Sequence, residues 1–265
     1  MMRKLVRKLI PESLRIELLM LGMRFKSLAL IGNTFYCNCC GKTFSRFLPY
    51  GNIPRANALC PWCHSLERTR LLWCYLERET GVLRRRMRIL HFAPEWIIRK
   101  RLWKSAGRRG YVSADINPAL ADRVIDITAI SFPDNYFDLV ICSHVLGHVD
   151  NEPRAIDEMY RVLKPGGEAL IMTVIDLNNP RTLEDSSVCT PKERLKLYGE
   201  PDLLRLHGQD FEQRLQREIV TVEKIDYTLK LSPVENRKMN TGNRERELIF
   251  RCIKRSTLKN TDIQF

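Results

Sequence analysis

Apolar positions near the start of the chain recur at helical spacing. Leu14, Leu18, Leu21 and Phe25 stand three and four apart within Ser13–Lys26, which places them on one face of a helix. That face is expected to pack on the rest of the protein, with a membrane surface as the alternative. A second helical run follows Cys63, with Leu71, Leu72, Tyr75 and Leu76 as its stripe. From residue 86 the rhythm changes. Strands are expected at Met87–Ala93, Gly110–Asp115, Phe137–Ser143 and Glu168–Val174. Helices are expected at Trp96–Ser105 and at Pro153–Leu163, the latter stopped by Lys164-Pro-Gly-Gly. Ile219–Leu229 and Glu247–Cys252 read as closing antiparallel strands, and 255–265 as a polar tail. Strands alternating with helices imply an α/β fold, a mainly parallel sheet covered on both faces.

With 265 residues, the chain has room for one substantial core plus a smaller module. Glycine and proline, 13 each, are ordinary counts and argue against collagen-like or low-complexity structure. The apolar stretches Leu18–Met23 and Leu28–Ile31 are far shorter than the roughly 20 residues that cross a bilayer. Pro11, Glu12, Arg15 and Glu17 interrupt any signal-peptide core, so a cytoplasmic protein is expected.

The net charge of +13 is uneven: residues 1–110 carry 23 Lys+Arg against 6 Asp+Glu, whereas 111–160 carry 2 against 9. Arg3, Lys4, Arg7 and Lys8 begin the basic part, and a denser run extends from Arg84 to Arg109. Such a surface suits RNA, an anionic lipid surface or a phosphorylated substrate, or is simply solvated.

Nine cysteines are many for a chain of this length. Cys37 and Cys40, then Cys60 and Cys63, form two C-x2-C pairs nineteen residues apart. Two knuckles with two thiolates each can close a tetrahedral zinc site. Such a zinc is structural, because protein ligands fill all four positions. Cys39 could replace one of them, and His64 is a weaker alternative. Cys74, Cys142, Cys189 and Cys252 stand alone and are expected to be buried fillers. The chain thus divides into a basic helical leader (1–36), a zinc module with its exit helix (37–80), an α/β domain (81–254) with a substrate-side insertion at about 180–215, and the tail.

Ligands of parallel sheets bind beyond the carboxyl ends of the strands. Those ends carry Asp115, Asp126, Ser143 and His144, and a carboxylate after the second strand suits a ribose diol. At these residues the chain resembles the class I S-adenosylmethionine-dependent methyltransferases, of Rossmann-like fold. The resemblance lies in Ala114–Pro118, Asp126–Val140, His144–Val149 and Arg161–Gly167, and is nearest the branch of ubiquinone/menaquinone-type enzymes. With the cysteine pairs ahead of it, the whole chain resembles a bacterial group of zinc-bearing methyltransferases, often associated with surface-polysaccharide biosynthesis.

The resemblance implies S-adenosylmethionine as cofactor. Asp115 would bind its ribose, Asp126 and Ile127 would flank the adenine, and the turn His91-Phe92-Ala93-Pro94-Glu95 would face the methionine part, with Glu95 on its amino group. Ser143, His144 and His148 would line the transfer site. The two histidines are base candidates, because imidazole titrates near neutrality. The family's usual Gly-x-Gly turn is missing at 91–95, Gly147 stands where many relatives carry Glu, and Leu203 where the group often has His. Arg194, Arg205 and Asp210 are substrate candidates. The expected activity is O- or N-methyl transfer to a small molecule or saccharide. The alternatives are an RNA methyltransferase that uses the basic front, and a non-catalytic protein on the same fold.

Overall fold

The structure is a computed structural model and describes residues 12–242 and 247–256. The basic run Arg3–Lys8 and most of the polar tail lie outside the described residues. Helix α1 (Glu12–Ser27) leads into two hairpins, β1 (Ile31–Cys37) with β2 (Lys42–Phe44) and β3 (Leu48–Tyr50) with β4 (Arg55–Leu59). Helix α2 (Glu67–Arg78) follows. Then come β5 (Ile89–Phe92), α3 (Trp96–Gly110), β6 (Tyr111–Asp115), β7 (Arg123–Val124), β8 (Phe137–Ser143), α4 (Glu152–Val162) and β9 (Leu163–Met172). The insertion holds β10 (Leu183–Glu184), α5 (Pro191–Tyr198), β11 (Arg205–Leu206) and α6 (Phe211–Leu215). The fold closes with β12 (Val220–Ile225), α7 (Pro233–Met239) and β13 (Ile249–Lys254).

Seven strands form one sheet in the order β12-β13-β9-β8-β5-β6-β7. From β9 to β7 all neighbours are parallel, and β13 runs antiparallel to both β9 and β12. Side chains alternate between the faces, as a strand's period of two requires. Ile89, Leu139, Ile141, Leu170 and Met172 join the core beneath α2 and α3. Leu90, Phe92, Val140, Cys142 and Ile171 join the core beneath α4 and α6.

Helix α2 leaves the second knuckle and becomes one of the helices covering the sheet. It is buried nearly all round, with Leu71, Leu72, Trp73, Cys74, Tyr75 and Leu76 all inside. The hairpins and the sheet therefore share one continuous core. Arg70, wholly buried, fastens them together through the carbonyls of Ser65 (2.6 Å), Ala58 (2.9 Å) and Asn240 (2.8 Å).

Several expectations are corrected. The stripe Leu14, Leu18, Leu21 and Phe25 faces outward and is exposed. Helix α1 docks instead through Met20, Ser27 and Arg24, whose guanidinium lies over the rings of Trp62 and Trp96. Cys189 is exposed, because it sits in the open insertion just before α5. The strand expected from Glu168 begins at Leu163 and runs through Lys164-Pro-Gly-Gly, with a register shift between Phe137 and Leu139 on its partner. Glycine permits that bulge: a Cβ on Gly167 would meet the Lys164 carbonyl oxygen at 2.9 Å. The strand expected to reach Leu229 ends at Ile225, where Asp226 caps a short 3-10 turn by accepting from the Thr228 amide. Among the described residues no helix is long and apolar enough to cross a membrane.

Candidate active site

Strand β5 is flanked by β6 on one side and β8 on the other, so the chain order reverses at β5 and leaves a crevice beyond the strand ends. There lies a cavity of about 640 Å³, lined by Phe92 and Ala93 at the end of β5, Asp115 and Ile116 at the end of β6, Ile125–Thr128, and His144, Val145 and His148–Asn151 after β8. That volume is within the usual range for a small-molecule site. Ala93 (φ 43°) and His144 (φ 56°) both adopt the left-handed region at the cavity edge. Such strain in residues with a Cβ gathers at binding sites. It also lets the chain turn away from the strand ends without the glycines missing from this turn.

Asp115 closes β6 and accepts from the Asn117 amide at 2.8 Å, which leaves its second carboxylate oxygen for a ligand. Asp126 is held by the Thr128 amide and hydroxyl, both at 2.8 Å, and Ile127 is buried beside it. An acceptor carboxylate flanked by Ile116, Ile125 and Ile127 fits a ribose diol and a flat apolar ring, so these residues suit the nucleoside end of the cofactor implied by the sequence.

Other candidates lie deeper. His91 does not line the cavity: its fully buried ring bonds Tyr111 Oη at 2.9 Å and Glu95 Oε2 at 3.1 Å. Burial raises the Glu95 carboxyl, but the hydrogen bond and charge of His91, with the charge of Arg68, outweigh it and hold Glu95 below the usual carboxylate range. Ser143 is also buried outside the lining, and its hydroxyl has no hydrogen-bond partner among the described residues.

A narrower cavity of about 80 Å³ adjoins the first and shares His144 and His148 with it. Arg68, Gly147, Thr173, Leu203 and Arg205 complete much of its wall. Gly147 and Leu203 fit each other, since a Cβ on Gly147 would stand 2.7 Å from Leu203 Cδ2. His148 Nδ1 lies 3.2 Å from the Asp202 carbonyl and 3.6 Å from its carboxylate. Arg205 supports the loop after β8, donating to Leu146 O, Val149 O and Asp150 O and pairing with Glu184. Asp210 accepts from the Thr182 hydroxyl at 2.7 Å, and Arg194 donates weakly to Val188 O; neither lines these two cavities.

Behind the narrow cavity is a buried chain that no sequence motif announced. Thr173 Oγ1 bonds His207 Nδ1 at 2.9 Å, His207 Nε2 bonds Glu152 Oε1 at 2.7 Å, and Arg214 pairs with the other Glu152 oxygen. Burial lowers the His207 pKa against the opposing pull of Glu152. Burial raises that of Glu152, but His207 and Arg214 outweigh it and the carboxyl is lowered. Arg68 was missed too; it stands two residues inside the helix that leaves the second knuckle.

The four knuckle sulfurs of Cys37, Cys40, Cys60 and Cys63 all lie within 4.8 Å of one another. Cys37 and Cys63 are 3.5 Å apart, and Cys40 and Cys60 are 3.9 Å apart. Four sulfurs about 2.3 Å from a central zinc would stand about 3.8 Å apart, so the cluster fits that ion. Cys39 is outside it and points to the Thr69 carbonyl. His64 is outside as well. It occupies the position in the second knuckle that Gly41 holds in the first: both are left-handed (φ 60° and 73°), and their amides bond Cys60 O and Cys37 O.

Residues 99–171 match the family model described as a methyltransferase domain. The ubiquinone/menaquinone biosynthesis C-methyltransferase of Hydrogenovibrio crunogenus is 37% identical over 95 residues, 29% of this chain and 37% of that protein. The enzyme of the same name from Neisseria meningitidis is 31% identical over 126 residues, 41% of this chain and 51% of that one. The chain thus spans between about a third and a half of these relatives' length. In the solved complex between the Haloferax volcanii Trm112 methyltransferase activator and a methyltransferase, a chain aligns over 72% of this one and 91% of itself, with a TM-score of 0.50 at 12% identity. By strand order and crevice the α/β part of this chain has a Rossmann-like fold, and its residues 99–171 match a methyltransferase domain.

Proposed function

We propose that the protein transfers a methyl group from S-adenosylmethionine to an oxygen or nitrogen of a small-molecule or saccharide acceptor in the cytoplasm, as a step of surface-polysaccharide biosynthesis. The observation that carries this reading is the pair of joined cavities: a large one with Asp115 at the second strand end, and a narrow one reached past His144 and His148. When bound, the cofactor supplies a methyl group already activated on sulfur. Asp115 would hold the ribose hydroxyls, while Ile116, Ile125 and Ile127 would enclose the adenine. His144 and His148, at the boundary between the cavities, would orient the acceptor atom and take its proton. The narrow cavity has the room of a few water molecules, which suits one small polar or charged group. A zinc at the four knuckle sulfurs completes the reading. It leaves no ligand position for water, so it supports the fold and takes no part in transfer.

The test is label transfer from methyl-labelled S-adenosylmethionine into fractionated cell extract. Label is expected in nuclease- and protease-resistant small molecules or saccharides, and is expected to fall about a hundredfold in a His144→Ala or His148→Ala variant, the scale of a lost general base. Nuclease-sensitive label, or label unchanged in both variants, contradicts the proposal.

A further inference from the structure

Arg68 is an unusual residue within its own helix. Its neighbours Glu67 and Arg70 are buried and paired, Glu67 with Arg55 at 3.0 and 3.2 Å and Arg70 with three carbonyls. Arg68 is only half-buried, its guanidinium makes no hydrogen bond or ion pair with any described residue, and it lines the narrow cavity beside His144 and Thr173. A cation left unpaired on a cavity wall is a natural partner for an anion of the ligand.

The knuckles fix where Arg68 stands. Ser65 Oγ contacts Cys37 Sγ at 3.2 Å and Cys63 Sγ at 3.3 Å, the Cys60 amide bonds Ser65 O, and the helix starts directly afterwards. From the first knuckle, Asn38 donates to Arg70 O at 2.9 Å and Cys39 Sγ points to Thr69 O. The first two turns of α2 are therefore tied to both halves of the cysteine cluster. Glu95, the acidic group of the glycine-poor turn, feels the charge of Arg68. The two residues set a carboxylate and a guanidinium within electrostatic reach of each other, where an amino-acid zwitterion would find a partner for each of its charges. Pro94 removes an amide donor from that turn, and a guanidinium restores donor capacity.

We infer that Arg68, positioned by the cysteine cluster, binds the α-carboxylate of the cofactor's methionine part, while Glu95 faces its ammonium group. The inference rests on the S-adenosylmethionine reading above. It makes the metal module part of the cofactor site: an element that looks like an appendage supplies what the first strand's turn lacks.

Decarboxylated S-adenosylmethionine differs from the cofactor only in the missing carboxylate, and so provides the probe. Binding of both compounds is measured by calorimetry on the full zinc-loaded chain and on Arg68→Ala and Arg68→Lys. The wild type is expected to prefer S-adenosylmethionine by about tenfold or more, the scale of one charge-assisted contact. Arg68→Ala is expected to lose that preference by weakening S-adenosylmethionine alone, and Arg68→Lys to keep part of it. Equal discrimination in the wild type and Arg68→Ala, or equal weakening of both compounds, overturns the inference. A wild type that binds neither compound removes the cofactor reading itself, and this inference with it.

Discussion

The residues of the candidate site owe their geometry to buried polar partners. His207 illustrates this: it lies between Thr173 and Glu152, and burial holds its pKa below the ordinary 6.5. Glu152 is likewise lowered from 4.5, its burial outweighed by His207 and Arg214. Both groups bind protons more weakly in the folded than in the unfolded chain. Stability is therefore full above 6.5, and falls as the pH drops below that value and again below 4.5. Thermal denaturation from pH 8 to 5 is expected to show the first decline in the wild type and to lose it in His207→Gln. A wild-type melting temperature unchanged between pH 7 and 5 contradicts a histidine held neutral by the fold. His91 shows how far a motif reveals a residue's role. Its place at the end of the first strand was legible, but the period of a four-residue strand does not say which face meets the ligand, and here it is Phe92 and Ala93.

At the scale of elements, the knuckles and α2 act as one unit. Cys37, Cys40, Cys60 and Cys63 stand at ligand spacing, Gly41 and His64 turn the two loops alike, and α2 carries the result into the core of the sheet. The chain is expected to bind one zinc ion. Removing it with a chelator, or by Cys60→Ser, is expected to lower the melting temperature of the whole domain and not merely loosen the hairpins, because α2 belongs to both. Elemental analysis paired with thermal denaturation checks this. Absence of zinc, or a metal-free protein that melts as before, would count against it. The C-x2-C spacing made the cluster legible from sequence, whereas the embedding of α2 was hidden. An apolar stripe at Leu71, Leu72, Tyr75 and Leu76 announces burial but not the neighbour that supplies it. The same gap explains α1: its stripe of Leu14, Leu18, Leu21 and Phe25 has the spacing of a packed face, yet Met20 and Arg24 make the contact.

For the molecule as a whole, the charge distribution takes on a different meaning once the fold is in view. Part of the positive charge of the first half is engaged by the protein itself: Arg24 and Lys42 lie over Trp62, Arg101 over Trp73, Arg88 over Tyr136, and Arg70 is wholly buried. The acidic middle segment supplies Asp115, Asp126 and Glu152, which line or support the cavities. The mainly parallel sheet, and the carboxylates that end its strands, were legible because they follow from strand runs and the residues that close them. The narrow cavity and the chain behind it were not, because Arg68, Thr173 and His207 come together from three distant stretches of chain.

The proposed methyl transfer depends on a working cofactor site beyond the ends of β5 and β6. Calorimetric titration of the zinc-loaded protein with S-adenosylmethionine and S-adenosylhomocysteine, alongside Asp115→Ala, tests it most directly. Binding of both compounds by the wild type is expected, with a loss of about tenfold or more in Asp115→Ala, the scale of a hydrogen-bonded charge. A folded, metal-loaded wild type that binds neither compound, or an Asp115→Ala variant that binds both as tightly, would contradict it.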